Sequence, residues 1–406
     1  MSSTLSVSKI LTPPFRADVV GSYLRPAALH AARAQFAAGD LSAASLQMIE
    51  DQEITALVAR QKAAGLKVIT DGEFRRSWFH LDFMWGLYGV EKTVREQGVR
   101  FKDMELRAET ARITGPLSCV QHPFVAHFKF LLSFADDTVV PRLTVPAPAQ
   151  VFKEFWRPDN MASTQAVYPT QAALIEALVG AYAAFIQEIY TAGCRNLQFD
   201  DCTWGMMVDP RYAQIASKPA PGHEGCGCDN ADLPTIATGS VAELAETLLD
   251  LNNRVLATAP SDLVIATHVC RGNYRSHWAA AGGYAPIAPY LFERETVDAF
   301  YLEYDTDRAG DFSPLAAVSG SKKVVLGLVS SKTGALEDKA TIIARIHEAS
   351  QYIPLDRLCL STQCGFASSE EGNDLTEAQQ WAKIALICEI AREIWGAEAT
   401  NARAMS

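Results

Sequence analysis

Eight short runs rich in Val, Ile, Leu and Phe alternate with longer stretches of helical periodicity, and this alternation constrains the fold more than any other feature of the chain. The runs are ADVVGS (17–22), LKVITDGE (66–73), PRLTVPAP (141–148), NLQFDD (196–201), LVIATHVC (263–270), AFYLEYD (299–305), KVVLGLVSS (323–331) and LCLSTQCG (358–365). Strands separated by helices read as parallel strands joined by helical crossovers. Eight of them predict an α/β fold, a (β/α)8 TIM barrel occupying residues 1–406 as a single domain. The stretch SAASLQMIEDQEITALVARQKAAG shows why the intervening segments read as helices. Its Leu46, Ile49, Ile54, Leu57 and Val58 share half of a helical wheel, and Gly65 ends the pattern. Further helices are expected over 170–192, 233–259, 336–352 and 375–395.

Two insertions interrupt the scheme. From about 86 to 134, Arg, Glu and Val alternate with period two, which predicts a β-rich antiparallel excursion between strands two and three. From about 216 to 233, after strand four, the chain reads as a Gly/Pro-rich loop.

Hydrophobic residues make up 49% of the 406 and charged residues 20%, enough apolar material for a full core. The net charge of -11 would repel a phosphate backbone, so nucleic acid is not an expected partner. The first residues lack the apolar stretch of about 7 to 15 residues that a signal peptide needs, and no later segment runs about 18 apolar residues free of charge. A soluble, cytoplasmic chain without a membrane partner is expected, with homo-oligomerisation left open. Nine cysteines, an odd number, argue for reduced thiols. Of these, Cys119, Cys194, Cys359 and Cys388 are expected to be small buried hydrophobes.

In a parallel barrel the βα loops gather chemistry on the C-terminal face, so the polar ends of the runs should be neighbours. Four of those ends carry zinc-ligand types: His268, Cys270, Glu303 and Cys364. The two-residue spacing of His268 and Cys270 points both side chains to the same side of one strand. A rival metal site is His223, Cys226 and Cys228 in the loop HEGCGC. Zinc at the barrel mouth would hold a substrate thiol as the nucleophilic thiolate.

On VVGSYLRP, LKVITDGEFRR, LQFDD, THVCRGNY, YLEYD and STQCG, the chain resembles the cobalamin-independent methionine synthase family, as a short homologue of its C-terminal catalytic barrel. The resemblance implies zinc ligands at His268, Cys270, Glu303 and Cys364. It implies an amino-acid thiol site in which Ser22 and the Gly21 backbone hold a carboxylate while Glu73 and Asp200 hold an ammonium group. A plainer reading of Glu73 and Asp200 is a salt bridge to Arg75 or Arg76. The implied reaction moves a methyl group from a 5-methyltetrahydrofolate-like donor to homocysteine, giving methionine. Alternatives are another thiol or donor, such as coenzyme M with an epoxide or methylcobalamin, and a non-catalytic zinc- or thiol-binding homologue.

The chain departs from the family pattern in two places. After strand seven, Lys332 stands where the synthases have an acid histidine, and it is expected, with Asp200, to be catalytic, as a general acid whose pKa burial lowers. After strand four, Asp200-Asp201-Cys202-Thr203 replaces Asp-Glu-Pro-Ala. Phe152 falls near an aromatic that stacks on the pterin.

Overall fold

The eight runs pair edge to edge in the computed structural model, which describes residues 11–95, 98, 100–101, 104–211 and 240–400. Leu143–Pro146, Asn196–Asp200, Val264–Val269, Ala299–Glu303, Lys323–Val329 and Leu358–Thr362 form one parallel sheet in chain order. The second run, as Val68–Ile69, pairs in parallel with Val140–Pro141, which leads into the third strand. The first run joins the two ends: Ala17 bridges Leu360 of strand eight and Ser22 bridges Gly72 of strand two, both in parallel. Parallel contacts therefore link each run to the next around the ring, as the TIM-barrel reading requires.

Helices fall between the strands and are capped as their sequences dictate. Ala43–Ala63 starts at Ser42, whose hydroxyl accepts from Ser45 N, and capping boxes open Val241–Leu256 and Glu377–Trp395. The excursion between strands two and three is antiparallel, with Tyr88–Val94 paired against Glu109–Ser118. Its last part is not strand: Pro123–Leu132 is helical, with Pro123 in the first turn and His122 as the cap.

Side chains along the barrel strands alternate between two cores. Outward-facing residues such as Leu197, Phe199, Ile265, Phe300, Leu302 and Leu326 join the large sheet-to-helix cluster. Val20, Ala266, Ala299, Tyr301, Val325 and Cys359 form a separate small cluster inside the ring. Ala266 and His268 therefore share the inner side of strand five, with Ile265 and Val269 facing out. Cys119, Cys194, Cys359 and Cys388 are buried free thiols, as expected.

The interior also carries charge. Arg142 Nη2 lies 2.8 Å from Asp18 Oδ1, with both side chains fully buried, and donates to the Tyr301 hydroxyl at 2.6 Å. Gln198 accepts from Arg142 and donates to Asp200 Oδ1 at 2.9 Å, carrying the network up to the barrel mouth. A second buried network lies just outside strand four. Asn252 Nδ2 donates to Asp201 Oδ2 at 3.0 Å and to Glu295 Oε1 at 2.8 Å, while its Oδ1 accepts from Ala149 N at 3.0 Å. Asp201 also caps the short helix Cys202–Met207 by accepting from Thr203 N.

Burial, with the nearby Asp201 carboxylate, lifts the Glu295 carboxyl from its ordinary 4.5 to about 8. The native state thus holds this proton more tightly than the unfolded chain, and the resulting stability is full below pH 4.5 and lost as pH rises toward 8. Glu295→Gln should flatten that fall, which amounts to roughly 1 kcal/mol per pH unit. Denaturant midpoints measured across the window check it, and identical slopes for the two proteins would place the pH dependence elsewhere.

Candidate functional site

The ends of strands five and eight bring three metal-ligating atoms together. One ring nitrogen of His268 and the sulfurs of Cys270 and Cys364 all lie within 4.8 Å of one another, and all three residues are buried. The His268 ring is oriented by its own strand neighbour. Its Nδ1 lies 3.2 Å from the Tyr301 carbonyl, which only accepts, so Nδ1 carries the proton. Nε2 is then left with its lone pair, buried beside Cys364 and without a hydrogen-bond donor among the described residues. A buried acceptor beside two thiols fits a thiophilic cation such as zinc. Without such a cation the two thiols resist ionisation. Contact with Cys202 raises the Cys270 pKa and contact with Cys270 raises that of Cys364, with burial adding to both.

Glu303 lies outside this cluster, although sequence reasoning grouped it with the other three. Its Oε2 accepts from Arg271 N at 2.7 Å, and its Oε1 contacts Arg308 and lies 3.3 Å from Lys332 Nζ. Burial alone would raise this carboxyl, but Lys332, Arg308 and Arg271 hold it at about 2. The same pairing corrects the expectation for Lys332. Burial does press its pKa down, yet the carboxylates of Glu303 and Asp305, 3.3 and 3.2 Å away, outweigh it and raise the value. The depressed ammonium that a general acid at neutral pH requires is not found at Lys332.

Ser22, Glu73 and Asp200 face the same pocket as the His268, Cys270 and Cys364 cluster. Glu73 sits at φ 61°, a left-handed conformation that a side chain rarely adopts, and Asp71 Oδ1 stabilises it by accepting from Glu73 N at 2.9 Å. Glu73 Oε1 accepts from Thr144 at 2.7 Å and lies 3.6 Å from Arg76, so the expected salt bridge to Arg76 exists. Glu73 Oε2, however, is buried without a partner. Burial raises both the Glu73 and Asp200 carboxyls, and for Asp200 the charge on Glu73 pushes further. Arg75 instead pairs with Glu50 and Asp51.

Gly21 and Phe152 are placed differently from expectation. Gly21 does not face the pocket. At φ 144° it packs its backbone where a Cβ would come within 2.8 Å of Thr144, so it shapes the wall behind Ser22. Phe152 is fully buried on the helix Pro148–Phe155 and stacks on Trp156, 6.0 Å away, in the outer core. No planar ligand in the pocket can reach it. The pocket's aromatic wall is Trp78 and Tyr274, with ring centroids 6.0 Å apart and Arg107 over the Trp78 face.

Two further pocket residues escaped sequence reasoning. Cys202 places its sulfur 2.9 Å from that of Cys270, a position signalled only by its lying two residues beyond Asp200 at a strand end. Lys153 lines the pocket with no ion-pair partner among the described residues, and burial lowers its pKa. Nothing in the pattern VFKEF marks it, because only the helix direction turns it inward. His223, Cys226 and Cys228 lie outside the described residues.

The family model "Cobalamin-independent synthase, Catalytic domain" matches residues 15–97. Two Bacillus subtilis (strain 168) proteins, the uncharacterized YxjH and YxjG, are each 41% identical over 94% of this chain and 95% of their own lengths. Among solved structures, a putative vitamin-B12 independent methionine synthase from Listeria monocytogenes is 36% identical, covers 95% of this chain and 100% of its own, and superposes with a TM-score of 0.70. A B12-independent methionine synthase from Shewanella sp. W3-18-1, in complex with selenomethionine, shares the fold at 18% identity and a TM-score of 0.67, over 94% of this chain and 98% of its own.

Two carboxyls that face one pocket with incomplete compensation should cost the ligand-free protein stability. Asp200→Asn is expected to raise the unfolding midpoint, by about 1 kcal/mol, when measured above neutral pH, where both carboxyls are driven to ionise. The same variant should lose most of its affinity for a ligand bearing an ammonium group. A midpoint that stays put or falls would mean that Asp200 serves the scaffold rather than a ligand.

Proposed function

The chain belongs to the cobalamin-independent methionine synthase family, and we propose that it is a zinc-dependent S-methyltransferase whose acceptor is homocysteine or a closely similar amino-acid thiol. The observation that carries this reading is the sharing of one pocket by the His268, Cys270 and Cys364 cluster and the Glu73 and Asp200 carboxyls. Bound zinc would lower the pKa of a substrate thiol and hold its sulfur as the nucleophile.

The chain's own residues then account for orientation. Glu73 Oε2, buried and unpartnered, and Asp200 are complementary to an α-ammonium, and Ser22 stands on the same wall to receive the carboxylate. The same two carboxyls disfavour coenzyme M, whose sulfonate is anionic and which has no ammonium to pair with them. Trp78 and Tyr274 offer a flat apolar surface to a planar, folate-like donor. As the sulfur–carbon bond forms, the carbon–nitrogen bond of such a donor breaks and its electron pair stays on nitrogen, which needs a proton. Lys153 is better suited to deliver it than Lys332, having no ion-pair partner among the described residues and being lowered by burial rather than held by two carboxylates.

The purified chain should carry about one zinc, and Cys270→Ser and Cys364→Ser should each lose most of it. Wild type should methylate homocysteine from a methyl-folate donor and neglect a thiol of the same length that lacks the amino group. Full zinc in both variants would disprove the metal assignment. Tight thiol binding without turnover from folate, cobalamin or epoxide donors would favour the non-catalytic alternative.

A further inference from the structure

We propose that Gln150 selects the methyl donor, by hydrogen-bonding the cyclic amide edge of a flat nitrogen heterocycle that lies against Trp78 and Tyr274. The inference rests on the methyltransferase reading above and adds to it a residue and a recognisable edge of the donor. The helix Pro148–Phe155 fixes the geometry. Its entry is pinned by three hydrogen bonds: Ala147 N donates to the Asp200 carbonyl at 3.0 Å, Ala149 N to Asn252 Oδ1 at 3.0 Å, and the Tyr182 hydroxyl to the Pro146 carbonyl at 2.8 Å. Phe152 and Phe155 anchor the helix in the core, while Gln150, Lys153 and Glu154 line the pocket. Residues three and four apart lie on one face of a helix, so these three form a single stripe.

The polar groups around that stripe are satisfied unequally. Glu154 accepts from Thr110 at 2.8 Å and from Arg157 at 3.2 Å, and it also pairs with Arg95. Arg107, which lines the same pocket, is matched by Glu109, Glu370 and Glu371. Gln150 is 6% exposed, yet neither end of its amide makes a hydrogen bond among the described residues, and its Oε1 is shielded from solvent. Buried amides are almost always paired, so one left open toward a pocket marks the place of a ligand group. His80 is a second such group. Its Nδ1 is buried without a partner among the described residues, and burial lowers its pKa to about 4, which leaves the ring neutral. Arg95, Arg107 and Arg157 already have their carboxylates, so apart from Lys153 the open hydrogen-bonding groups here are uncharged. That pattern suits a neutral edge rather than an anion.

A glutamine amide presents an acceptor and N–H donors side by side, whichever way it is turned. Its complement is a cyclic amide, whose N–H and carbonyl are adjacent in one plane. Trp78 and Tyr274, 13° from parallel with ring centroids 6.0 Å apart, offer the face against which such a plane rests. Lys153 stands one turn beyond Gln150 and close enough to Cys202 for the charge on one to act on the other, which places it toward the thiols. In a reduced pterin the methyl-bearing nitrogen and the amide carbonyl are neighbours on adjoining rings. A cation at that nitrogen and an amide at that edge therefore match two side chains whose Cβ atoms are about 5 to 6 Å apart. An epoxide or a methylated amine carries no such edge.

The test is a double-mutant cycle between protein and ligand, read by titration calorimetry on the zinc-loaded full-length protein with homocysteine present. The ligands are 5-methyltetrahydropterin, which has no glutamyl tail, and its N3-methyl derivative, in which the amide N–H is blocked. Wild type should bind the parent about tenfold or more tightly than the derivative. Gln150→Met, close in volume, should lose that discrimination and bind both ligands as weakly as wild type binds the derivative. Its zinc content and homocysteine affinity should match wild type, and its donor KM should rise with kcat little changed, the split that loss of uniform binding produces. Full discrimination in Gln150→Met would overturn the assignment and leave the methyltransferase reading standing. Loss of zinc or homocysteine binding in that variant would give Gln150 to the scaffold and overturn it equally. A wild type that binds neither pterin but methylates homocysteine from another donor would overturn the heterocycle and keep the transferase. No turnover from any donor would remove both.

Discussion

The buried pair of Asp18 and Arg142 links strands one and three across the inside of the ring, and the rest of the site inherits its positions from that contact. Such a pair adds little net stability, since desolvation consumes most of the Coulomb attraction, but stranding either partner costs about 3 to 5 kcal/mol. It therefore acts on register. A slip of one residue would drive Asp18 into the apolar layer beneath the helices and bring Val19 inside. With the register held, Gln198 relays the network to Asp200, and the inner sides of strands four, five and eight end in the pocket with the side chains that carry chemistry.

Two electrostatic regimes coexist at the barrel mouth. On one side Glu303 and Asp305 are matched by Lys332 and Arg308, giving a closed ion-pair network. On the other side Glu73 has Arg76 and Thr144 on one oxygen and no partner on the second among the described residues, where Gln198 is also the one side-chain donor to Asp200. The matched side behaves as scaffold. The unmatched side holds free energy that a cationic ligand would release, which is why perturbed carboxyls in a cleft mark a binding site more reliably than well-paired ones.

Most of this was legible in the sequence because strands have a period of two. The spacing of His268 and Cys270 puts both on one side of strand five, and the polar ends of the eight runs identify the barrel mouth. Glu303 takes partners that the strand pattern does not foresee, for a physical reason. Its partners Arg308 and Lys332 come from loops after strands six and seven, and strand periodicity does not say which of several nearby groups a carboxylate will choose. Lys332 was misjudged on the same ground, since burial lowers an ammonium pKa only when no carboxylate is buried with it. Phe152 and Lys153 are adjacent on one helix, and the direction in which that helix leaves strand three sends Phe152 to the core and Lys153 to the pocket. Cys202 first read as a mere departure from the family's pattern, although its offset from Asp200 equals that of Cys270 from His268.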